Sequence, residues 1–257
     1  MPNLTVTTVQ SSLFWEDIDA NLNMFSEKLN RFSDETDLII LPEMFTTGFS
    51  METKRVSETM DGKAVNWMCE QAKNHNAAVM GSLIIRDGDK CYNRLVAMRP
   101  NGKFETYDKR HLFTLADEHE YFQTGSERLI FDYKGWKICP LICYDLRFPV
   151  WARNTVDYDL LIYMANWPVT RNHHWKTLLM ARAIENQSYC IGVNRVGKDE
   201  KELYYSGDTS VIDYTGNVIY QVANAEDIFT TTLDKEQMDK FRSKLNFLPD
   251  RDDFEIK

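Results

Sequence analysis

A glutamate, a lysine and a cysteine each stand where an apolar strand gives way to polar sequence. Glu43, in LPEMF, directly follows the apolar run DLIILP. A carboxylate there is partly desolvated, its pKa rises, and it can serve as a general base near neutral pH. Lys109, in YDKRHLF, lies just after the second strand of a hairpin. A lysine can stabilise a developing oxyanion or lower the pKa of a thiol beside it. Cys143, in CPLICYDLRFP, ends an apolar strand before the chain turns polar at Tyr144, Asp145 and Arg147. A nucleophile on such a turn can be exposed, with the next backbone N–H, that of Tyr144, aimed at an oxyanion. Each residue alone also fits an ordinary role: Glu43 a surface glutamate, Lys109 a solvated lysine, Cys143 a small core residue. No histidine neighbours Cys143 in sequence, so a Cys–His pair would have to be assembled in space.

Other chemistries lack their motifs. There is no GxxxxGK[ST] phosphate loop, no GxGxxG after a strand and no GxSxG elbow. The five histidines (His75, His111, His119, His173, His174) show no HExxH spacing, and no CxxC pair occurs. No metal site and no organic cofactor are therefore expected. Cys139, four residues before Cys143 on the same apolar run, reads as a core cysteine.

The 257 residues carry 30 Lys+Arg against 39 Asp+Glu, a formal net charge of -9. That balance argues against a nucleic-acid partner. No apolar run approaches the ~20 residues of a membrane span, and MPNLTVTTVQ has neither a basic nor an apolar signal region. With five cysteines, an odd number, free thiols in a reducing compartment are expected, and hence a cytoplasmic location. Glycine and proline are scattered singly, with no linker or repeat, so one domain spanning 1–257 is expected.

These residues need a scaffold. Residues 4–10 alternate as a strand, and 15–32 place Ile18, Leu22, Phe25, Leu29 and Phe32 on one helical face. Residues 37–42 and 77–85 read as buried strands, and 64–75 as a helix between them. Hairpins follow: 95–98 with 104–107 across an Asn-Gly turn, 129–133 with 136–142, and 209–213 with 218–221. Strands at 158–165 and 189–196 flank a helix at 174–185, and 235–244 closes the pattern as a helix. Alternating helices and buried strands with several hairpins fit a layered α/β sandwich of mixed sheets.

Together, LPE, YDKRHLF and ICYDLRFP resemble the three sequence blocks of the nitrilase (carbon–nitrogen hydrolase) superfamily, in the same chain order and over the chain to about residue 222. The resemblance implies a four-layer αββα sandwich and a Glu–Lys–Cys triad: Glu43 as base, Lys109 as oxyanion stabiliser, Cys143 as nucleophile. Many members add a second glutamate before a YFxxG-like segment. In ADEHEYFQTG that position is Glu118, with Glu120 as the neighbouring candidate.

LICYDLRFPVWARN and the short chain look most like the omega-amidase branch, which implies hydrolysis of the terminal amide of small 2-oxo acids such as 2-oxoglutaramate and 2-oxosuccinamate. Another carbon–nitrogen hydrolase (a carbamoylase, an aliphatic amidase, a nitrilase) and a redox-sensing or non-catalytic thiol protein are the alternatives. A 2-oxo acid carries a carboxylate, so the pocket should supply a cation or aligned N–H groups. Arg171, in NWPVTRNHHW, is the candidate cation. Asn166 and Trp167 could form one wall, and Phe113, Tyr121 and Phe122 another. The family commonly dimerises, so a homodimer is expected.

Overall fold

Leu38, Ile39 and Ile40 are all fully buried, yet they serve two different cores. Leu38 and Ile40 pack with Leu4, Val6 and Met80 against Ile138 and Leu160 of a second sheet. Ile39 packs on the opposite face with Phe25, Leu29 and Met68, which come from helices. Side chains alternate across a strand, so a strand covered on both faces must be apolar throughout. That rule, repeated, produces four layers: helix, sheet, sheet, helix.

The computed structural model describes residues 3–31 and 34–256. Strands β1 (Leu4–Gln10), β2 (Leu38–Ile40), β3 (Ala78–Asp87), β4 (Lys90–Met98) and β5 (Phe104–Asp108) lie side by side in that order. In the second sheet β6 (Phe131–Tyr133), β7 (Trp136–Ile142), β8 (Leu160–Ala165), β9 (Tyr189–Asn194), β10 (Val196–Lys198) and β11 (Tyr204–Ile212) run in the order β10-β11-β9-β8-β7-β6, and β12 (Val218–Ala223) also pairs with β11. Helices α1 (Ile18–Arg31) and α2 (Lys63–Asn74) cover the first sheet. Helix α3 (Asn172–Asn186) lays Trp175 and Leu179 on the second, close over Gly192 of β9. The expected αββα sandwich is the observed architecture.

Several boundaries differ from expectation; the strand expected from 209, for one, is β11 and begins at Tyr204. Helix α1 begins at Ile18, not residue 15, because the Asp17 side chain accepts from the Ala20 N–H and caps its first turn; its expected end at Phe32 lies outside the described residues. The strand before the Asn-Gly turn begins at Lys90, not 95, and makes a further hairpin with β3 across Gly88. Finally, β13 (Asp227–Leu233) was not anticipated. It returns to the first sheet and pairs antiparallel with β1 over its whole length, with Thr5 and Thr7 hydroxyls meeting those of Thr232 and Thr230. The helix over 235–244 is α4 (Lys235–Lys244), capped by Asp234.

Strands β1, β2 and β3 are mutually parallel, as are β7, β8 and β9. Two antiparallel steps, β3 to β4 and β4 to β5, leave β5 pointing the same way as β3. The residues after β2, β5, β7 and β8 therefore emerge at strand C-terminal ends, where α/β folds place their sites.

A Cβ built on Gly192 would lie 2.4 Å from Leu179 Cδ1 and 2.6 Å from Trp175. Gly192→Ala should lower stability by about 1–3 kcal/mol through overpacking, read as an earlier midpoint of urea unfolding with an unchanged slope. An unchanged midpoint would mean that α3 does not seat this closely on β9.

Candidate active site

Glu43, the third residue after β2, is fully buried, and its neighbour Met44 takes a left-handed backbone (φ 44°) that turns the chain away. One Glu43 oxygen accepts from Lys109 Nζ at 3.0 Å and from Asn93 Nδ2 at 2.8 Å. The other accepts from the backbone N–H of Asn166 at 2.8 Å, and the Asn166 side chain donates to the Glu43 carbonyl at 2.7 Å. The carboxylate is thus clamped between the two sheets.

Lys109 leaves the end of β5 and is 1 % exposed. Its ammonium is 3.0 Å from Glu43 Oε1 and 2.9 Å from Glu118 Oε2, and it stands 5.3 Å from the centre of the Phe49 ring. Burial alone would drive its pKa down, but Glu118 and Glu43 outweigh burial and hold it above the ordinary lysine value. The ammonium stays charged.

Glu118 is fully buried, whereas Glu120 is exposed beside His119. The choice follows from local backbone: Asp117 is left-handed (φ 55°) and opens the short helical turn Glu118–Tyr121. Glu118 then also accepts from the Phe113 N–H at 2.6 Å. Burial first, and the neighbouring Glu43 charge, raise its pKa; Lys109 opposes them. Gly125, which closes the YFQTG segment, donates its N–H to the Lys109 carbonyl at 3.0 Å. A Cβ there would fall 2.0 Å from the Asp108 carbonyl oxygen, so only glycine fits.

Cys143 begins the short 3-10 turn Cys143–Arg147 after β7 and is itself left-handed (φ 42°). Non-glycine residues adopt this region rarely, and it costs energy that the surroundings must supply. The thiol lies within electrostatic reach of both Glu43 and Lys109. Burial, then the Glu43 charge, push its pKa well up, and Lys109 only partly offsets them. Lys109 lowers the thiol's pKa as expected, but by less than burial and Glu43 raise it, so the neutral form is favoured at rest. The thiol thus has a carboxylate and an ammonium as its charged neighbours.

Cys143 and Lys109 open into a cavity of about 130 Å³. Tyr144, Asn166, Trp167, Arg171 and Phe113 line it, as the sequence suggested. The Arg171 guanidinium sits 5.4 Å from the Phe113 ring centre. Tyr121 and Phe122 do not line it: Tyr121 is half exposed, and Phe122 is buried with Met44 and Ile84 in a separate apolar cluster. Cys139 is fully buried and pushed by burial up to about 12, in keeping with a core cysteine. All five cysteines are free, and among the described residues no three His, Cys, Asp or Glu side chains converge on a possible metal position.

Sequence reasoning missed Asn93, Arg147 and the β10–β11 turn. Asn93 is a single polar residue inside β4 and carried no motif; its amide also reaches Glu118 at 3.3 Å. Arg147 stood within the Cys143 block and lines the cavity, its guanidinium over Trp167 at 4.7 Å. Asp199, Lys201, Leu203 and Tyr205 close the far side.

The carbon-nitrogen hydrolase family model matches residues 5–243. The chain belongs to that family. The match runs past residue 222, where the sequence resemblance had stopped, and takes in β13 and most of α4. The carbon–nitrogen hydrolase is 44% identical over 260 residues to omega-amidase YafV of Escherichia coli, covering all of both chains. It is 32% identical to the 2-oxoglutaramate amidase of Bacillus subtilis, covering 96% of each. A solved structure from Xanthomonas campestris, a CN-hydrolase superfamily protein with an arsenic adduct in its active site, shares 41% identity and a TM-score of 0.98 over the whole of both chains.

Lys109→Met strands two buried carboxylates without their cation. Removing one partner of a buried pair costs about 3–5 kcal/mol. Lys109 opposes the rise of the Glu118 pKa, so without the ammonium Glu118 titrates still higher in the folded state than in the unfolded one. The folded state then holds the extra proton more tightly, so the penalty is full above that raised pKa and relieved as pH falls. The loss in Tm should be largest at pH 8 and shrink towards pH 5. A loss equal at both values would show that the carboxylates are not coupled through Lys109.

Proposed function

We propose that this enzyme hydrolyses the terminal amide of small 2-oxo acids, such as 2-oxoglutaramate and 2-oxosuccinamate, releasing ammonia through a cysteine thioester. The observation that carries this is the convergence of Glu43, Lys109 and Glu118 on Cys143 at the floor of a small cavity whose walls bear two arginines. The whole-length likeness to an omega-amidase supports the substrate class.

As the Cys143 sulfur attacks the amide carbon, its proton passes to Glu43, so the thiolate never has to exist free. A resting thiol with a raised pKa needs such a base within reach. The negative oxygen of the tetrahedral intermediate is met by the Lys109 ammonium and the Tyr144 backbone N–H. Glu43 returns the proton to the nitrogen, the C–N bond breaks and ammonia leaves. Water then attacks the thioester, giving its proton to Glu43. The C–S bond breaks, and the sulfur regains that proton as the acid departs. Glu118 holds Lys109 in place and keeps it charged. No metal or organic cofactor enters any step.

Arg171 and Arg147 are placed to receive the substrate carboxylate. Arg147's pKa is lowered, first by burial and then by the Arg171 charge beside it. Two cations sharing one cavity wall favour an anion between them. The same charges disfavour the α-ammonium of glutamine or asparagine. Among the described lining residues the one carboxylate is Asp199, already accepting from Lys201 N–H, Leu203 N–H and the Tyr205 hydroxyl. The cavity thus suits a 2-oxo acid better than the parent amino acid.

A homodimer remains the proposed assembly, and a monomer in sedimentation velocity at micromolar concentration would overturn it. No helix among the described residues is long and apolar enough to cross a membrane; the five free thiols support a cytoplasmic location.

Ammonia release should be strong with 2-oxosuccinamate or 2-oxoglutaramate and weak with glutamine, asparagine, a carbamoyl amino acid and a simple nitrile. Cys143→Ala should abolish it. Arg171→Ala and Arg147→Ala should each raise KM for the 2-oxo amide about 10–100-fold, the worth of a charge-assisted hydrogen bond, with kcat changed far less. Better turnover of a carbamoyl compound or a nitrile would overturn the substrate assignment, and activity in Cys143→Ala would overturn the thioester.

A further inference from the structure

Asp145 is fully buried, two residues beyond Cys143, and no step above uses it. Its carboxylate gathers four donors. The Ile142 N–H lies at 3.0 Å, on the residue just before the nucleophile. The Tyr107 hydroxyl lies at 2.7 Å, the His111 N–H at 3.1 Å and His111 Nδ1 at 2.8 Å. A carboxylate only accepts, so Nδ1 of His111 carries a proton. Tyr107 and His111 stand two residues on either side of Lys109. Tyr107 also accepts from the Trp151 indole at 3.0 Å, and the His111 ring stacks on Phe148 at 3.7 Å.

The geometry points to Asp145 as the positioning residue that ties the Cys143 turn to the Lys109 strand. One of its oxygens takes Ile142 N–H and Tyr107; the other takes both His111 donors. The carboxylate therefore bridges the backbone before the nucleophile and the backbone around the ammonium. Cys143 is held at a positive φ, a conformation it would leave if the turn were released. The separation of sulfur and ammonium, which sets where the oxyanion forms, is then fixed by Asp145 rather than by Cys143 or Lys109. His111 is the adjustable member: its side chain is the one donor of the four that is partly exposed to water.

This inference rests on the proposed role of Cys143, and wild-type turnover tests that role separately. Asp145→Asn keeps the size but turns one acceptor into a donor facing a donor. Its kcat should fall about 100-fold, as for a small misplacement of reacting groups, with KM for 2-oxosuccinamate within about three-fold. Because Asp145→Asn could unfold the protein, His111 supplies an independent test. Asn places its amide nitrogen where Nδ1 stands, whereas Gln reaches towards Nε2. His111→Asn should retain kcat within about three-fold, while His111→Gln and His111→Ala lose about ten-fold or more, the worth of a hydrogen bond to a charged group. All three substitutions remove the ring stack on Phe148, so packing alone cannot produce that order. Equal losses for Asn and Gln, or an unchanged kcat in folded Asp145→Asn, would overturn the proposal. An inactive wild type would instead sink the function assigned to Cys143.

Discussion

A buried lysine ammonium must be neutralised by something, and here two glutamates do it. Lys109 sits between Glu43 and Glu118, all three buried. Desolvation on this scale is tolerable only with hydrogen bonds on every side, and each partner supplies them. Asn93 and the Asn166 N–H hold Glu43, and the Phe113 N–H holds Glu118. The cluster carries one net negative charge beside Cys143. Burial first, and then the Glu43 charge, hold the thiol's pKa up, so in the proposed reaction reactivity comes from proton transfer during attack rather than from a standing thiolate. The same ion cluster draws on both sheets: Glu43, Asn93 and Lys109 from the first, Asn166 from the second. Sheet packing and charge compensation are therefore one constraint, not two.

Backbone strain follows the same residues. Met44 beside Glu43, Asp117 before Glu118, and Cys143 itself all adopt positive φ without being glycine. Each marks the point where a chain leaves its strand or turn and a side chain must be thrown back towards the centre. Such conformations survive where surrounding contacts over-determine them. Here those contacts are identifiable: the Met44 N–H donates to Ser82 Oγ at 2.9 Å, Glu118 accepts from Phe113, and Asp145 grips the residue before Cys143.

The layers were legible because burial on both faces demands runs such as DLIILP and ICPLI, and those runs stand out in any sequence. Cys143, Glu43 and Lys109 were legible as candidates because three short blocks carry them. What escaped has physical reasons too. Strand β13 is threonine-rich and half exposed, so neither strict alternation nor an apolar run announces it. Asn93 looks like any polar residue in a strand until Glu43 and Glu118 arrive from 50 and 25 residues away. Tyr121 and Phe122 are adjacent aromatics whose directions depend on one short helical turn, which sends Phe122 into the core and leaves Tyr121 outside. Partner identity across long sequence separations is a property of the fold, not of any window.

The overall charge of -9 poses a problem for an enzyme of an anionic amide. A uniform negative field would repel the substrate that the site is proposed to bind. The cavity answers locally, with Arg147, Arg171 and Lys201 on its walls against one saturated aspartate. Field lines in a low-dielectric cleft are focused, so the three cations on the walls govern the last few ångströms even when the whole surface is acidic. The arrangement also orders the charges by task. In the proposed binding mode the arginines take the carboxylate end, where charge is constant through the reaction and only binding is gained. Lys109 lies at the amide end, where negative charge appears in the transition state alone. Separating the two keeps the lysine's attraction for the moment it accelerates the reaction.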